Sequence, residues 1–226
     1  MPYSSNSPHQ TWRIFKKALH PSELPKSFRD ATAIARKFRV KYLWIDSLCI
    51  IQDSVVDWRQ EAAYMGDIYR NSFCNISATG ASNSELGCFA ERDPSMVLPC
   101  RIMSAWTNTT NQMYHVVASR FWDHVVEAPL NRRSWVVLER LLAPRVLHYG
   151  RDQLFWECHE LEACERFPRG LPPGLSETGF KGMDPQTDGK RLQTQANEDK
   201  IVRAYTCSDL TKIDDKLIAL SESLRL

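Results

Sequence analysis

The stretch that most constrains this chain is Tyr42 to Thr79, YLWIDSLCIIQDSVVDWRQEAAYMGDIYRNSFCNISAT. Tyr42-Leu43-Trp44-Ile45-Asp46 is a short apolar, aromatic and β-branched run, the length and composition of a buried strand. It ends on a carboxylate, and ligands of open α/β sheets gather beyond the carboxyl ends of strands. After Gln52 the period changes. Ser54 and Asp57 have the spacing of a capping box, and Trp58, Ala62, Met65 and Tyr69 follow on one helical face, which predicts a helix from about Val56 to Tyr69. Ser72 to Ala78 returns as a short strand, and the small residues Ser77, Ala78, Gly80 and Ala81 allow close approach of neighbouring backbone. The expected unit is a right-handed parallel crossover.

The flanking sequence extends this pattern. Phe28, Ala31, Ile34 and Phe38 share a helical face before the crossover, and Trp12, Phe15, Ala18 and Leu19 predict a shorter helix ahead of Pro21. Gly80 to Pro94 reads as a long surface loop. Met96 to Met103 and Met113 to Ala118 read as the two strands of a hairpin appended to the main sheet. In Asn131 to Gly150, Ser134 is positioned to cap a helix with Trp135, Leu138, Leu141 and Leu142 toward the core, ended by Pro144. Two strands follow around Gly150, at Arg145 to Tyr149 and Gln153 to Cys158. The expected organisation is a disordered or remnant segment 1–23, an α/β domain 24–166, a flexible insertion 167–197 and a helical tail 198–226.

Composition narrows the class. With 43% hydrophobic and 25% charged residues the 226-residue chain can bury a core. A formal net charge of +2 gives no electrostatic case for nucleic acid, and no apolar run is long enough to span a bilayer. Seven scattered cysteines fit reduced thiols and a cytoplasmic setting, with Cys49 expected to be a buried structural thiol. Cys158, His159 and Cys164 lack a fourth ligand at useful spacing, so no metal site is expected. Phosphate-cradling glycine motifs are absent.

Four stretches resemble the fungal heterokaryon incompatibility (HET) domain: Leu24-Pro25 with Phe28-Arg29-Asp30-Ala31; Tyr42 to Asp53 with Asp57-Trp58, Glu61, Met65 and Ile68-Tyr69; Pro129-Leu130-Asn131 with Arg133, Trp135 and Glu139-Arg140-Leu141-Leu142; and Leu154 to Cys158. Tyr205 to Leu220 resembles the segment that commonly follows. The chain departs from the pattern at Ser134, where the family usually has Gly, and at Leu138, where it has Gln. It also lacks the usual opening L-S-Y-x-W-G strand before Leu24 and so reads as truncated at its front.

The resemblance implies a flavodoxin/TIR-like α/β fold, a parallel sheet flanked by helices with an appended β element and a helical C-terminal tail. It implies non-self recognition between fungal cells ending in regulated death, with a second copy of the chain or another incompatibility-pathway protein as partner. Ser134 to Leu141 is similar to the S-x-W-x-x-x-E-L helix start of TIR domains, whose glutamate is catalytic in NAD-cleaving members. Glu139 is the matching position. The resemblance thus assigns Glu139 a catalytic role, Asp46 a place shaping the pocket, and Trp44 or Trp135 a stacking surface, with NAD a substrate rather than a cofactor. The competing reading makes Glu139 a helix-surface partner of Arg133 or Arg140, both tryptophans core residues, and Asp46 a turn cap or an acceptor for loop amides after Ser47. Three functional classes stand: an NAD-consuming enzyme, a non-catalytic self-association or partner-binding module, and an inactive remnant.

Overall fold

The structure, a computed structural model, describes residues 20–98, 100–104, 112–116, 122–172 and 175. The expected helix at Thr11 to Leu19, the insertion beyond residue 175 and the C-terminal helices lie outside the described residues.

Helix α1 (Lys26–Lys37) forms where predicted, but its buried side is only partly the predicted face: Ile34 and Ala35 are buried, Phe28 and Ala31 half-buried, and Phe38, just past its end, is exposed because the chain turns there. It ends with Arg39 at φ 58 and the Val40 N–H reaching back to the Ala35 carbonyl. That left-handed residue closing the helix reverses the chain. Asp30, on the buried side of α1, accepts from the backbone N–H groups of Cys88 (2.8 Å) and Phe89 (3.3 Å) and pairs with Lys26. The Lys26 ammonium also donates to the Leu86 and Phe89 carbonyls. The loop after Thr79 is therefore stitched to α1 by one carboxylate and one ammonium.

The strand expected at Tyr42 to Asp46 does not form. Its backbone is extended, with Ile45 at φ −134 and ψ 120, but it joins no ladder among the described residues, and Tyr42 is 88% exposed. An apolar run this short fits a strand or a half-packed extended segment equally well, and only a partner decides. Here the anchor is a side chain: the Trp44 ring meets Tyr69 edge-on at 5.7 Å. The chain then turns into α2 (Asp46–Cys49), where the Asp46 carboxylate accepts from the Ser47 N–H at 2.7 Å. Cys49, expected to be buried, is exposed because α2 is a single turn on the surface.

Helix α3 (Val55–Arg70) follows the capping pattern closely. The Ser54 hydroxyl accepts from the Asp57 N–H, and the Asp57 carboxylate accepts from the Ile51 N–H at 2.7 Å. Asp57 thus ties the Ile50 to Asp53 connection to the first turn of α3, while Gln52 donates to the Ile50 carbonyl at 3.0 Å.

The main sheet has the order β1 (Asn75–Ser77), β4 (Arg145–Tyr149), β5 (Leu154–Cys158) and β6 (Glu162–Cys164). Only β1 and β4 are parallel, with Ile76 opposite Leu147; β4, β5 and β6 run antiparallel. The α/β class holds, but the sheet is mixed rather than parallel, because β4 and β5 turn tightly around Gly150 instead of crossing over through a helix. Gly80 donates to the Tyr149 carbonyl at 2.7 Å, and a Cβ there would meet the Arg151 nitrogen at 2.6 Å, so the small residues do permit a close approach. Strands β2 (Cys100–Ser104) and β3 (Gln112–Val116) pair antiparallel as expected, but as a separate two-stranded sheet.

A short α4 (Asp123–Val126) precedes α5 (Ser134–Leu142), which packs on α3. Ser134 is not the cap: Arg133 occupies that position without a side-chain bond, and Ser134 is buried as the first helical residue. Val136, Val137, Leu138 and Leu142 are buried, whereas Trp135 and Leu141 are half-buried. The helix is wedged between α3 and the sheet, so its apolar surface is wider than one stripe. Among the described residues, no helix is long and apolar enough to cross a membrane.

Candidate functional site

Consecutive helical residues point about 100° apart, so Glu139 and Arg140 serve different sides of α5. Arg140 turns toward the sheet. Its guanidinium forms a two-pronged pair with Glu157 on β5, with one arm at 2.7 Å, and stands 5.3 Å from the Trp122 ring centre. Arg140 is therefore not the partner of Glu139.

Glu139 instead belongs to a cluster with Tyr69 on α3, Asp46 at the start of α2 and Arg133 just before α5. The packing of α3 on α5 brings Tyr69 to the carboxyl, and the Trp44–Tyr69 contact brings the Trp44 to Asp46 segment to the same place. Desolvation pushes the Glu139 carboxyl up to about 7, and the negative charge of Asp46 acts in the same direction. The Arg133 guanidinium and a hydrogen bond from the Tyr69 hydroxyl oppose the rise. Tyr69 itself is raised well above an ordinary phenol, first by burial and then by the Glu139 and Asp46 carboxylates. It stays protonated and donates.

Two sequence expectations thus meet: Asp46 and Glu139, far apart in the chain, act on one another. Trp44 is half-buried and reaches the cluster through Tyr69. Trp135 is half-buried one turn before Glu139, and none of the interactions that define the cluster involves it. Sequence reasoning placed Tyr69 on an apolar helix face, and it is a member; Arg133, which the competing reading paired with Glu139, is one too. For Tyr69 the available signal was its phenol, since a buried tyrosine hydroxyl needs a partner.

The arrangement has definite chemical reach. A carboxyl near neutrality exchanges a proton at working pH, and a second, exposed carboxylate beside it holds negative charge. Together they suit a developing cation. An apolar concavity lined by Leu147, Leu154, Trp156, Leu161, Ala163 and Pro168 on the main sheet shares no residue with this cluster. Among the described residues, no group of three or more His, Cys, Asp or Glu side chains is arranged to hold a metal ion.

The profile of the heterokaryon incompatibility protein (HET) family matches residues 3–139, more than half of the chain, and its last matched residue is Glu139. No curated protein matches the chain. No solved structure matches it either.

Proposed function

The chain belongs to the heterokaryon incompatibility (HET) protein family, and from that premise we propose that it is a fungal non-self recognition effector that cleaves NAD at the Glu139 cluster. The observation that carries the reading is the meeting of Glu139 with Asp46, Tyr69 and Arg133, which leaves the Glu139 carboxyl poised near 7. Breaking the nicotinamide–ribose bond passes through an oxocarbenium-like state. The cationic nicotinamide leaves with the bonding electron pair as a neutral base, so the leaving group needs no proton. Water forms the new bond to the anomeric carbon and gives up a proton. Glu139 as carboxylate receives that proton, Asp46 adds negative charge beside the developing cation, and Trp44 or Trp135 supplies an aromatic surface.

The parallel β1–β4 pair supports the TIR-like side of this reading, since among the described residues it is the element that a flavodoxin-type sheet would share. The proposed setting is the cytoplasm, with a second copy or another incompatibility-pathway protein as partner. A partner-binding role has its own support. Phe38 and Phe73 meet at 6.0 Å while both are exposed, and Tyr42 and Leu43 follow on the same exposed stretch.

Purified protein incubated with NAD is expected to release nicotinamide, measured chromatographically, and Glu139→Gln is expected to reduce release at least a hundredfold. No release from folded wild-type protein would remove the enzymatic reading and leave the binding one.

A further inference from the structure

We propose that the corner of the fold just past α1 docks on an anionic lipid bilayer, with Phe38, Tyr42 and Phe73 set into the headgroup boundary and Lys37, Arg39 and Lys41 on the lipid phosphates. This rests on the binding reading of the exposed aromatic surface and names its partner; the reaction at Glu139 plays no part in it.

Residues 36–42 read RKFRVKY, four cations and no acid, so the near-neutral charge of the whole chain conceals a local concentration. Arg36, Lys37, Arg39 and Lys41 are all exposed, and among the described residues no ion pair engages any of them. Arg70, at the end of α3, is by contrast taken by Asp67 at 2.9 Å. The left-handed turn at Arg39 makes the stretch a corner rather than a helix face. Apolar surface lies within the same corner: Tyr42 is 88% and Phe73 55% exposed, and Phe38 meets Phe73 at 6.0 Å. The Arg145 guanidinium, 5.9 Å from the Phe73 ring centre, adds a further cation. Exposed rings among uncommitted charges of one sign are complementary to a cover that is anionic outside and apolar beneath, which an anionic bilayer is. Long lysine and arginine stems let the charge reach phosphate while the rings sit deeper.

Single-stranded nucleic acid, the other polyanion, needs separate ring faces on which successive bases stack. Phe38 and Phe73 spend ring surface on one another and Arg145 stands over Phe73, whereas lipid needs only apolar area. A protein partner anchors best in a pocket, and the apolar concavity on the main sheet shares no residue with this corner.

The experiment is co-sedimentation of the full chain with vesicles of phosphatidylcholine alone and of phosphatidylcholine with an equal part of phosphatidylserine. Binding is expected to the anionic vesicles and not to the neutral ones, and to weaken about tenfold or more as salt rises from about 0.05 M to about 0.5 M. Lys37→Gln combined with Lys41→Gln is expected to weaken it about twenty-fivefold, a factor of about five for each charge removed. Tyr42→Ser keeps every charge and is expected to weaken it severalfold, which separates ring insertion from charge attraction alone. All three positions are exposed, so the variants are expected to keep the fold. Folded wild-type protein that stays off anionic vesicles, binds neutral ones equally well, or binds a single-stranded oligonucleotide in preference to them overturns the proposal, as does unchanged affinity in the double lysine variant. The surface then falls to another partner, and the reaction proposed at Glu139 is judged separately by nicotinamide release.

Discussion

Glu157→Gln is expected to destabilise the protein by about 3–5 kcal/mol, read as a lower denaturant midpoint at unchanged slope. Glu157 is fully buried on β5, and its carboxylate holds Arg140 of α5 in a two-pronged pair while accepting from His148 Nε2 at 3.2 Å. The glutamine keeps the shape but withdraws the Glu157 charge from beside the buried Arg140 guanidinium. That cost exceeds the loss of the bond itself, because a buried guanidinium loses the ion pair that Glu157 supplies. The His148 proton is assigned by the same pair. Glu157 can only accept, so Nε2 carries hydrogen, and Nδ1 faces the Thr79 hydroxyl at 3.0 Å. Thr79 in turn meets Ser77 at 2.9 Å, so the chain of bonds links α5 to β5, β4 and the end of β1.

The same residue gives stability a pH dependence. Burial alone would raise the Glu157 carboxyl, but the Arg140 charge and the His148 bond prevail and hold it at about 2. A carboxyl depressed in the folded state binds its proton later than in the unfolded chain, where it titrates near 4.3. Its contribution is complete above that pH and is lost as pH falls toward 2. Wild-type stability is therefore expected to drop steeply through this window, and the Glu157→Gln profile to be flatter there.

Glu139→Gln is expected to do the opposite: to stabilise the protein above pH 7 by about 1–3 kcal/mol while removing the proposed activity. Here burial and Asp46 raise the folded carboxyl to about 7, so between the unfolded value and 7 the folded state holds a proton that the unfolded chain has released. Stability then declines as pH rises across that interval and stays reduced beyond it. Glutamine never ionises and escapes the penalty. The full shift sets the upper figure, and the lower one allows for the solvent that a half-buried side chain still meets. Thermal melts of both proteins at pH 4 and pH 8 check the sign: near coincidence at the lower pH, separation at the higher.

The sequence disclosed local features well and long-range pairings poorly. The Ser54 cap, the α3 face and the strands flanking Gly150 rest on contacts between near neighbours in the chain, which spacing records. Tyr42 to Asp46 misled because its composition describes a buried strand while the outcome depends on whether a neighbour pairs with it; Trp44 found Tyr69 instead of a ladder. The Arg140–Glu157–His148 core and the Asp30 bonds to Cys88 and Phe89 join residues from separate elements, and no periodicity marks which charge will be buried with which. Within the candidate site, Glu139 and Asp46 were visible through the motifs around them. Arg133 was visible as a partner for Glu139, whereas Tyr69 emerged only when α3 and α5 were seen packed together.

The central claim is that Asp46 and Glu139 share one site even though no strand carries Asp46 into the sheet. It is tested most directly by titrating the Glu139 carboxyl by NMR in wild-type protein and in Asp46→Asn. Removing the neighbouring charge is expected to lower the Glu139 midpoint from about 7, with no loss of folded protein because Asp46 is exposed. A midpoint that stays in place when Asp46 is neutralised would contradict the account.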